Sequence, residues 1–178
     1  AVLEQYWDLG ENTSLMLGLN FATGRLYDCP STPTGPCDTS VVVFSDPPRT
    51  LLQGGDLYFK WKPANVALTY ASFQWTTEFF TRRTMGSNPA TEGAGYTEPV
   101  LQFARRWYLG GRFDVTGLPA GPFIPRRYGY AGSLTFAPSE FSRFRLYAQE
   151  LTGPGVPSST VGFLQAEFSM GAHGAHPF

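Results

Sequence analysis

Long apolar runs are missing from this chain of 178 residues, and no stretch approaches 18 uninterrupted apolar positions. That absence excludes a transmembrane helix. It leaves a membrane-spanning β-barrel open, because the inward-facing polar residues of each barrel strand dilute the hydropathy of the whole strand.

Charge is scarce and balanced. Charged residues make up 15% of the chain, with 13 Lys and Arg against 14 Asp and Glu, and the formal net charge is −1. The arginines are spread along the chain rather than massed in one segment. No basic patch is available for a nucleic acid, so we predict no nucleic-acid partner.

Cysteine and histidine are nearly absent. Cys29 and Cys37 are the two cysteines, on either side of the loop-like stretch PSTPTGP. A disulfide between them would indicate an oxidising compartment, and two free thiols are the alternative. His173 and His176 are three residues apart, so on a strand they point to opposite faces and are poorly placed to share a metal. We predict no metal and no cofactor.

Catalytic motifs are also lacking. Ser139 and Glu140 stand in PSEFSR without a Gly-x-Ser-x-Gly elbow. The glycines fall in turns and strand interiors, where they relieve crowding, and they form no phosphate-binding loop. We therefore predict that the chain is not an enzyme.

Aromatic residues are abundant, at 16% of the chain, and they lie in stretches that alternate between apolar and polar positions. In TSLMLGLNFATG, one face carries Leu15, Leu17, Leu19 and Phe21, and the other carries Ser14, Met16, Gly18 and Asn20. The same period of two recurs in DLYFKWK, YASFQWTTEF, YGYAGSLTF, RFRLYAQ and VGFLQAEFSM. This period indicates β-strands. We count eight or nine of them, with a poorly defined first strand at residues 2–8, and no convincing helix.

The connections between these strands alternate in length. Short turns are expected at LGENT, KPANVA, ARRW and APSEF, and long Gly/Pro/Ser-rich loops at residues 25–49, 83–95, 117–126 and 152–159. Short turns at one end and long loops at the other are typical of outer-membrane barrels. The fold prediction is an all-β, antiparallel, transmembrane up-and-down β-barrel. Residues 1–178 would form a single domain, or the C-terminal portion of a larger barrel.

Periodicity alone does not say which face of the strands points inward. In a soluble β-sandwich or lipocalin-like barrel, the apolar face would form the core. Many large rings would then have to share one small interior, whereas rings near strand ends suit the girdles at a bilayer interface. We therefore expect the apolar face to contact lipid. The predicted girdle residues are Trp7, Trp61, Trp107, Tyr108, Tyr128 and Phe141.

On that orientation, the charged side chains of the polar face line a lumen. The predicted lumen residues are Asp56, Lys60, Lys62, Glu78, Arg112, Asp114, Arg143, Arg145 and Glu167. In a wide barrel these groups stay hydrated and influence ion or solute selectivity. In a barrel of about eight or nine strands they must pair, because such an interior is filled by side chains.

Five stretches of the chain resemble a family of porin-like outer-membrane barrels of Gram-negative bacteria: DLGENTSLMLGLNFATG, FKWKP, RRWYLGGRFD, PSEFSRFRLYAQ and FLQAEFSMGAHGAHPF. Members of that family are longer, so the resemblance favours a C-terminal segment. The terminal aromatic Phe178, preceded by Phe168 and Met170, resembles the C-terminal signal of bacterial outer-membrane proteins. It implies insertion by the barrel-assembly machinery.

The sequence thus predicts a porin-like passive channel or sleeve in the bacterial outer membrane, surrounded by lipid and lipopolysaccharide. A non-conducting barrel that holds a partner protein is the second hypothesis. A soluble β-barrel that carries a ligand is the third. A further barrel segment is an expected partner of the first two.

Overall fold

The computed structural model is all-β and describes residues 1–25, 49–63, 70–85, 89–119 and 125–169. Its nine strands are β1 (Val2–Gly10), β2 (Thr13–Arg25), β3 (Arg49–Trp61), β4 (Ser72–Met85), β5 (Ala90–Ala104), β6 (Trp107–Thr116), β7 (Arg127–Ser139), β8 (Ser142–Gly153) and β9 (Val156–Phe168). They form one antiparallel sheet in chain order, which confirms the predicted up-and-down topology. The described residues include no helix long and apolar enough to cross a membrane.

The strands form where the sequence alternates, and they extend beyond the apolar part of each alternation. β2 and β3 pair over thirteen consecutive positions, from Thr13 opposite Trp61 to Arg25 opposite Arg49. The predicted stretch DLYFKWK covers only the second half of β3. The residues of β3 before this stretch are mostly Thr, Gly, Gln and Arg. They pair with β2 although their side chains show no alternation of apolar and polar residues.

Tight turns join the strands at one end of the sheet, as predicted. They contain Glu11 and Asn12, Arg105 and Arg106, and Glu140 and Phe141. The Ala137 N–H donates to the Arg106 carbonyl at 2.8 Å. The β3–β4 connection at this end covers residues 62–71, so the short turn expected there is longer than predicted.

At the opposite end, two of the four predicted long loops are wrong. Only residues 86–89 separate β4 from β5, because Thr91, Glu92 and Gly93 continue the ladder opposite β4. β8 and β9 are joined through Pro154 and Gly155, and Gly155 has a φ of +70°. Glycine adopts that angle without strain, so a compact turn replaces the loop expected at residues 152–159. The other two predicted loops lie wholly or partly outside the described residues.

The sheet has no hydrophobic core among the described residues, since no apolar side chain in them is buried. Many of its large apolar side chains are exposed instead, such as Leu19 at 62%, Leu146 at 58% and Leu109 at 54%. In the described part of the chain, strands contact only their neighbours in the sheet. The fold is therefore a single layer with two faces.

Both edges of this layer are open. β1 pairs with β2 alone and β9 with β8 alone within the described residues. Every residue of β1 is exposed, and so is nearly every residue of β9.

Candidate functional site: the polar face of the sheet

The register divides the strands into two faces. We call the face that carries Asp56 the polar face and the face that carries Leu57 the apolar face. The structure places eight of the nine predicted lumen residues on the polar face, namely Asp56, Lys60, Glu78, Arg112, Asp114, Arg143, Arg145 and Glu167. Lys62, the ninth, directly follows β3 and continues the alternation of Lys60.

One row of the polar face carries acidic residues on four strands. The ladder pairs run from Glu4 through Gly18, Asp56, Glu78, Tyr96 and Asp114 to Gly129. We call this set the central row. Neighbouring strands lie about 4.8 Å apart, so the Asp56 and Glu78 carboxylates, on adjacent strands, are close enough to repel each other. These four carboxylates make the central row negative.

Arg112 contacts three other side chains of the polar face. Its Nε and Nη2 donate to Asp114 Oδ1 at 3.0 and 2.8 Å, and its Nη1 donates to Glu98 Oε2 at 3.0 Å. The guanidinium also lies 3.8 Å from the centroid of the Tyr96 ring. Two carboxylates and an aromatic face hold it from three sides, and this arrangement suits the planar guanidinium group.

Asp56, in the same row, is held by a side chain of β2. Asn20 Nδ2 donates to Asp56 Oδ1 at 3.1 Å, and the carboxylate lies directly over the backbone of Gly18. A side chain at position 18 would meet the Asp56 carboxylate, which would then have to turn away from its present place.

A second ion pair lies at the end of the sheet away from the tight turns. Arg82 and Glu92 are direct ladder partners, and Arg82 Nη2 donates to Glu92 Oε2. Glu92 is only 6% exposed. Sequence reasoning missed this pair because it assigned Glu92 to a loop.

The end with the tight turns carries mainly basic residues on the polar face. The closest approach of Arg143 to Glu167 is 4.0 Å, and both side chains are about half exposed. Arg145 Nε donates to Thr135 Oγ1 at 3.3 Å. Lys60, on the same face, is half-buried. Positive charge therefore gathers toward the turns, while the central row is negative.

The polar face becomes apolar near its β9 edge. Tyr147 and Phe163 are ladder partners whose rings stack with centroids 4.7 Å apart. Val161 lies next to Phe163 on the same face, and both are about half exposed. We call Tyr147, Val161 and Phe163 the inner apolar patch. The alternation rule did not reveal it, because the side chains of β9 near this point are apolar on both faces.

Aromatic side chains gather on the apolar face near the tight turns. Trp107 and Phe136 lie 4.7 Å apart between ring centroids, and Phe144 meets Phe168 edge to face at 5.7 Å. The predicted girdle residues Trp7 and Trp61 also lie at this end on the apolar face, and Phe141 lies in the β7–β8 turn.

A second aromatic cluster lies toward the other end of the apolar face. Phe113 is 6.3 Å from Tyr128 and 5.3 Å from Tyr130 between ring centroids. Tyr128 and Phe136 lie eight residues apart on β7. That is about 26 Å along a strand, or about 20 Å along the membrane normal at a tilt of ~40°. Outer-membrane barrels have an apolar band about 25 Å tall between their girdles.

Tyr108, also predicted for the girdle, lies on the polar face. It pairs with Thr135 and Gln102 on the polar face. Trp107 occupies the apolar face, because consecutive strand residues point to opposite faces.

Several predicted residues lie outside the described part of the chain: Cys29, Cys37, Met170, His173, His176 and Phe178. Of the predicted assembly signal, only Phe168 is described. It lies at the end of β9 on the apolar face and is 63% exposed.

Glu4, Tyr96 and Glu98 are further polar-face residues that sequence reasoning missed. Glu4 belongs to a strand that alternation defined poorly. Tyr96 and Glu98 lie on β5, where Gly93, Gly95 and Pro99 interrupt the apolar signal. Comparison of the chain with protein-family models, with curated proteins and with solved structures found no match.

Proposed function

We propose that these nine strands form part of the wall of an outer-membrane β-barrel that acts as a porin-like passive conduit. The apolar face would contact lipid, and the polar face would line a water-filled lumen of mixed charge. The protein would reside in the bacterial outer membrane and be inserted there by the barrel-assembly machinery.

The observation that carries this proposal is the distribution of side chains between the two faces. The apolar face leaves rings and leucines exposed, while the polar face holds Arg112, Asp114 and Glu98 in a hydrogen-bonded cluster. Burying one such large apolar side chain stabilises a protein by about 1.5–3 kcal/mol. A lipid environment supplies that burial for a sheet whose described residues bury no apolar side chain.

The charge pattern supports a conduit whose lining charges are distributed unevenly along its axis. Ions would meet a basic region near the tight turns and a negative central row that winds around the lumen, because the strands of such barrels are tilted. Fixed charges in a confined polar channel raise the local concentration of ions of opposite sign. We therefore expect the central row to favour cations over anions.

Planar-bilayer recording tests this proposal with protein purified intact from the outer membrane. Steady conductance steps are expected, with a reversal potential under a salt gradient that indicates cation preference. Replacing two carboxylates of the central row by amides, as Asp56→Asn with Glu78→Gln, should move the reversal potential toward anion selectivity.

Glu150→Gln is the control for Glu78→Gln made alone, since each removes one carboxylate. Glu150 is opposite Tyr130 on the apolar face, so its removal should leave the selectivity unchanged. Silent bilayers would contradict the conduit. An equal shift from Glu150→Gln would contradict the assignment of the polar face to the lumen.

The inner apolar patch favours a second candidate, a non-conducting barrel that holds a partner protein. Stacked Tyr147 and Phe163 rings on a polar wall offer a surface for an apolar segment of such a partner. Phe163→Ala should then reduce the amount of partner retained per barrel in quantitative mass spectrometry. Leu164→Ala, on the same strand but the opposite face, should not. Electrically silent insertion together with this difference would favour the docking barrel over the conduit.

A further inference from the structure

A second row of the polar face lies four residues closer to the tight turns than the central row, and on five neighbouring strands it carries no charge. The ladder pairs of this row run from Val100 through Gly110, Ser133 and Tyr147 to Phe163. We call Val100, Gly110 and Ser133 the trough. Short side chains on β5, β6 and β7 thus lead up to the two stacked rings on β8 and β9.

The ring of Tyr147 has one face against Phe163 and the other directed over the trough. Neighbouring strands lie about 4.8 Å apart, so ladder partners whose rings stack at 4.7 Å stand side by side on the sheet. The second face of Tyr147 is therefore turned toward β7, where its ladder partner is Ser133. The Ser133 hydroxyl leans over Gly110 and lies where a side chain of Gly110 would begin. In this row, the wall beside the free ring face is low.

Arg145 borders the trough on the side of the tight turns. Its Nε donates to Thr135 Oγ1 at 3.3 Å, so the side chain reaches over β7. Its two Nη atoms are not buried and have no acceptor among the described residues. Glu167, on the neighbouring strand, lies nearest to Arg143 instead, at 4.0 Å. Unlike Arg112, which is held by two carboxylates, Arg145 thus has unused donors beside an open aromatic face.

Resting on the proposed function, in which this face lines the lumen, we infer that Arg145, Tyr147 and the trough form a binding subsite for a small aromatic carboxylate. The ring of the solute stacks on the free face of Tyr147 above Ser133. Its carboxylate accepts hydrogen bonds from the two Nη atoms of Arg145, because a planar guanidinium matches a carboxylate with two parallel bonds. Arg145 and Tyr147 are about 7 Å apart along β8, a span that a ring with a short carboxylate arm can bridge.

The charge of Arg145 selects this class of solute. An uncharged apolar segment placed over the trough would cover the guanidinium without pairing it, which is costly. An organic cation would be repelled by Arg145 at this distance. Retention of an organic anion here is compatible with a central row that favours inorganic cations, because the two properties belong to different rows of the polar face.

Isothermal titration calorimetry with phenylacetate tests this inference on the intact protein in detergent micelles, with empty micelles titrated in parallel. Saturable binding at one site per chain is expected. Three further probes need no variant, namely acetate, which lacks the ring, benzyl alcohol, which lacks the charge, and benzylammonium, which reverses it. Each should bind about tenfold more weakly or worse, because each lacks the ring contact or the charged hydrogen bonds.

Two pairs of variants assign the binding to named side chains. Arg145→Met should weaken phenylacetate binding about tenfold or more, because it removes the charged donors. Arg143→Met, on the same strand and face, should change it by less than about twofold. Tyr147→Leu should weaken binding about threefold to tenfold through loss of the ring contact, whereas Phe144→Leu, on the apolar face, should have no effect. Circular dichroism checks that each variant is folded.

Several results would overturn the inference. They are heat that does not saturate or equals that of empty micelles, benzyl alcohol binding as tightly as phenylacetate, and Arg143→Met losing as much affinity as Arg145→Met. Calorimetry also separates the inference from the proposed function, since it does not depend on conduction. Saturable binding that Arg145→Met abolishes, in a protein with silent bilayers, would keep the subsite and remove the conduit. Steady conductance without phenylacetate binding would do the reverse.

Discussion

At the scale of single residues, Arg112 decides how the polar face of β5 and β6 is held together. It links Glu98 and Asp114, whose side chains are 36% and 23% exposed. Without the guanidinium, two carboxylates on adjacent strands would face each other in a partly desolvated place. Gln149 Nε2, 3.5 Å from Asp114 Oδ2, is too distant to replace it.

Arg112→Met should therefore lower the free energy of unfolding by about 1–3 kcal/mol, because it leaves two acceptors without their charged donor. Urea unfolding of the protein in lipid vesicles measures this change. Arg143→Met is the control, since its long contact with Glu167 is half exposed and should contribute about 0.5 kcal/mol or less. Equal losses for the two variants would show that the Arg112 cluster adds no stability.

At the scale of the strand, two glycines on the apolar face differ in the space around them. Gly95 is directly opposite Phe79, whose ring lies over it, and an added methyl group would collide with the Glu78 carbonyl. At Gly111, on the neighbouring strand β6, an added methyl group would have no atom of the described residues within 4 Å.

Gly95→Ala should destabilise the sheet by about 1–3 kcal/mol, because the backbone of β4 must move away. Gly111→Ala should be neutral or stabilise it by up to about 1 kcal/mol, because alanine restricts the unfolded chain. Thermal unfolding followed by circular dichroism compares the two. A larger loss for Gly111→Ala would show that the β4–β5 contact is not as close as described.

The element scale also shows how far the sequence predicts this fold. The alternation in β2, β3, β4, β7 and β8 predicted the strands and their faces, because a period of two appears directly in residue type. It failed for β5, where Gly93, Gly95 and Pro99 carry no apolar signal although they pair normally with β4. It also failed at the ends of the strands, where Thr, Gly and Arg continue the ladder through backbone hydrogen bonds that side-chain type does not encode.

The candidate site was predictable as a list of residues but not as a set of contacts. Alternation placed Arg112 and Asp114 on the polar face. The partnership with Glu98 and Tyr96 depends on the register between β5 and β6, which contains a bulge between Gln102 and Ala104. Register is set by pairing across strands, so no single stretch of sequence contains it.

At the scale of the whole molecule, the environment of the apolar face is the decisive property. Leu146 on this face is 58% exposed, and Gln149 on the same strand lies on the polar face near Asp114. If the apolar face meets lipid, the two sites should respond very differently to a positive charge.

Leu146→Arg should cost about 2–4 kcal/mol near the bilayer midplane, whereas substitutions on the lumen side are tolerated. Gln149→Arg should cost about 1 kcal/mol or less, since it places a cation beside Asp114. Refolding into lipid vesicles gives both values. A Leu146→Arg variant as stable as the parent would show that this face is in water.

The exclusive pairing of sequence neighbours also bears on how the chain acquires its structure. Each described seam joins strands that follow one another in the chain, so the sheet can assemble one hairpin at a time. The compact link through Pro154 and Gly155 makes β8 and β9 the pair with the smallest entropy of loop closure on that end of the sheet. Together with the three two-residue turns at the other end, this link gives four hairpins that can form locally before the longer connections close.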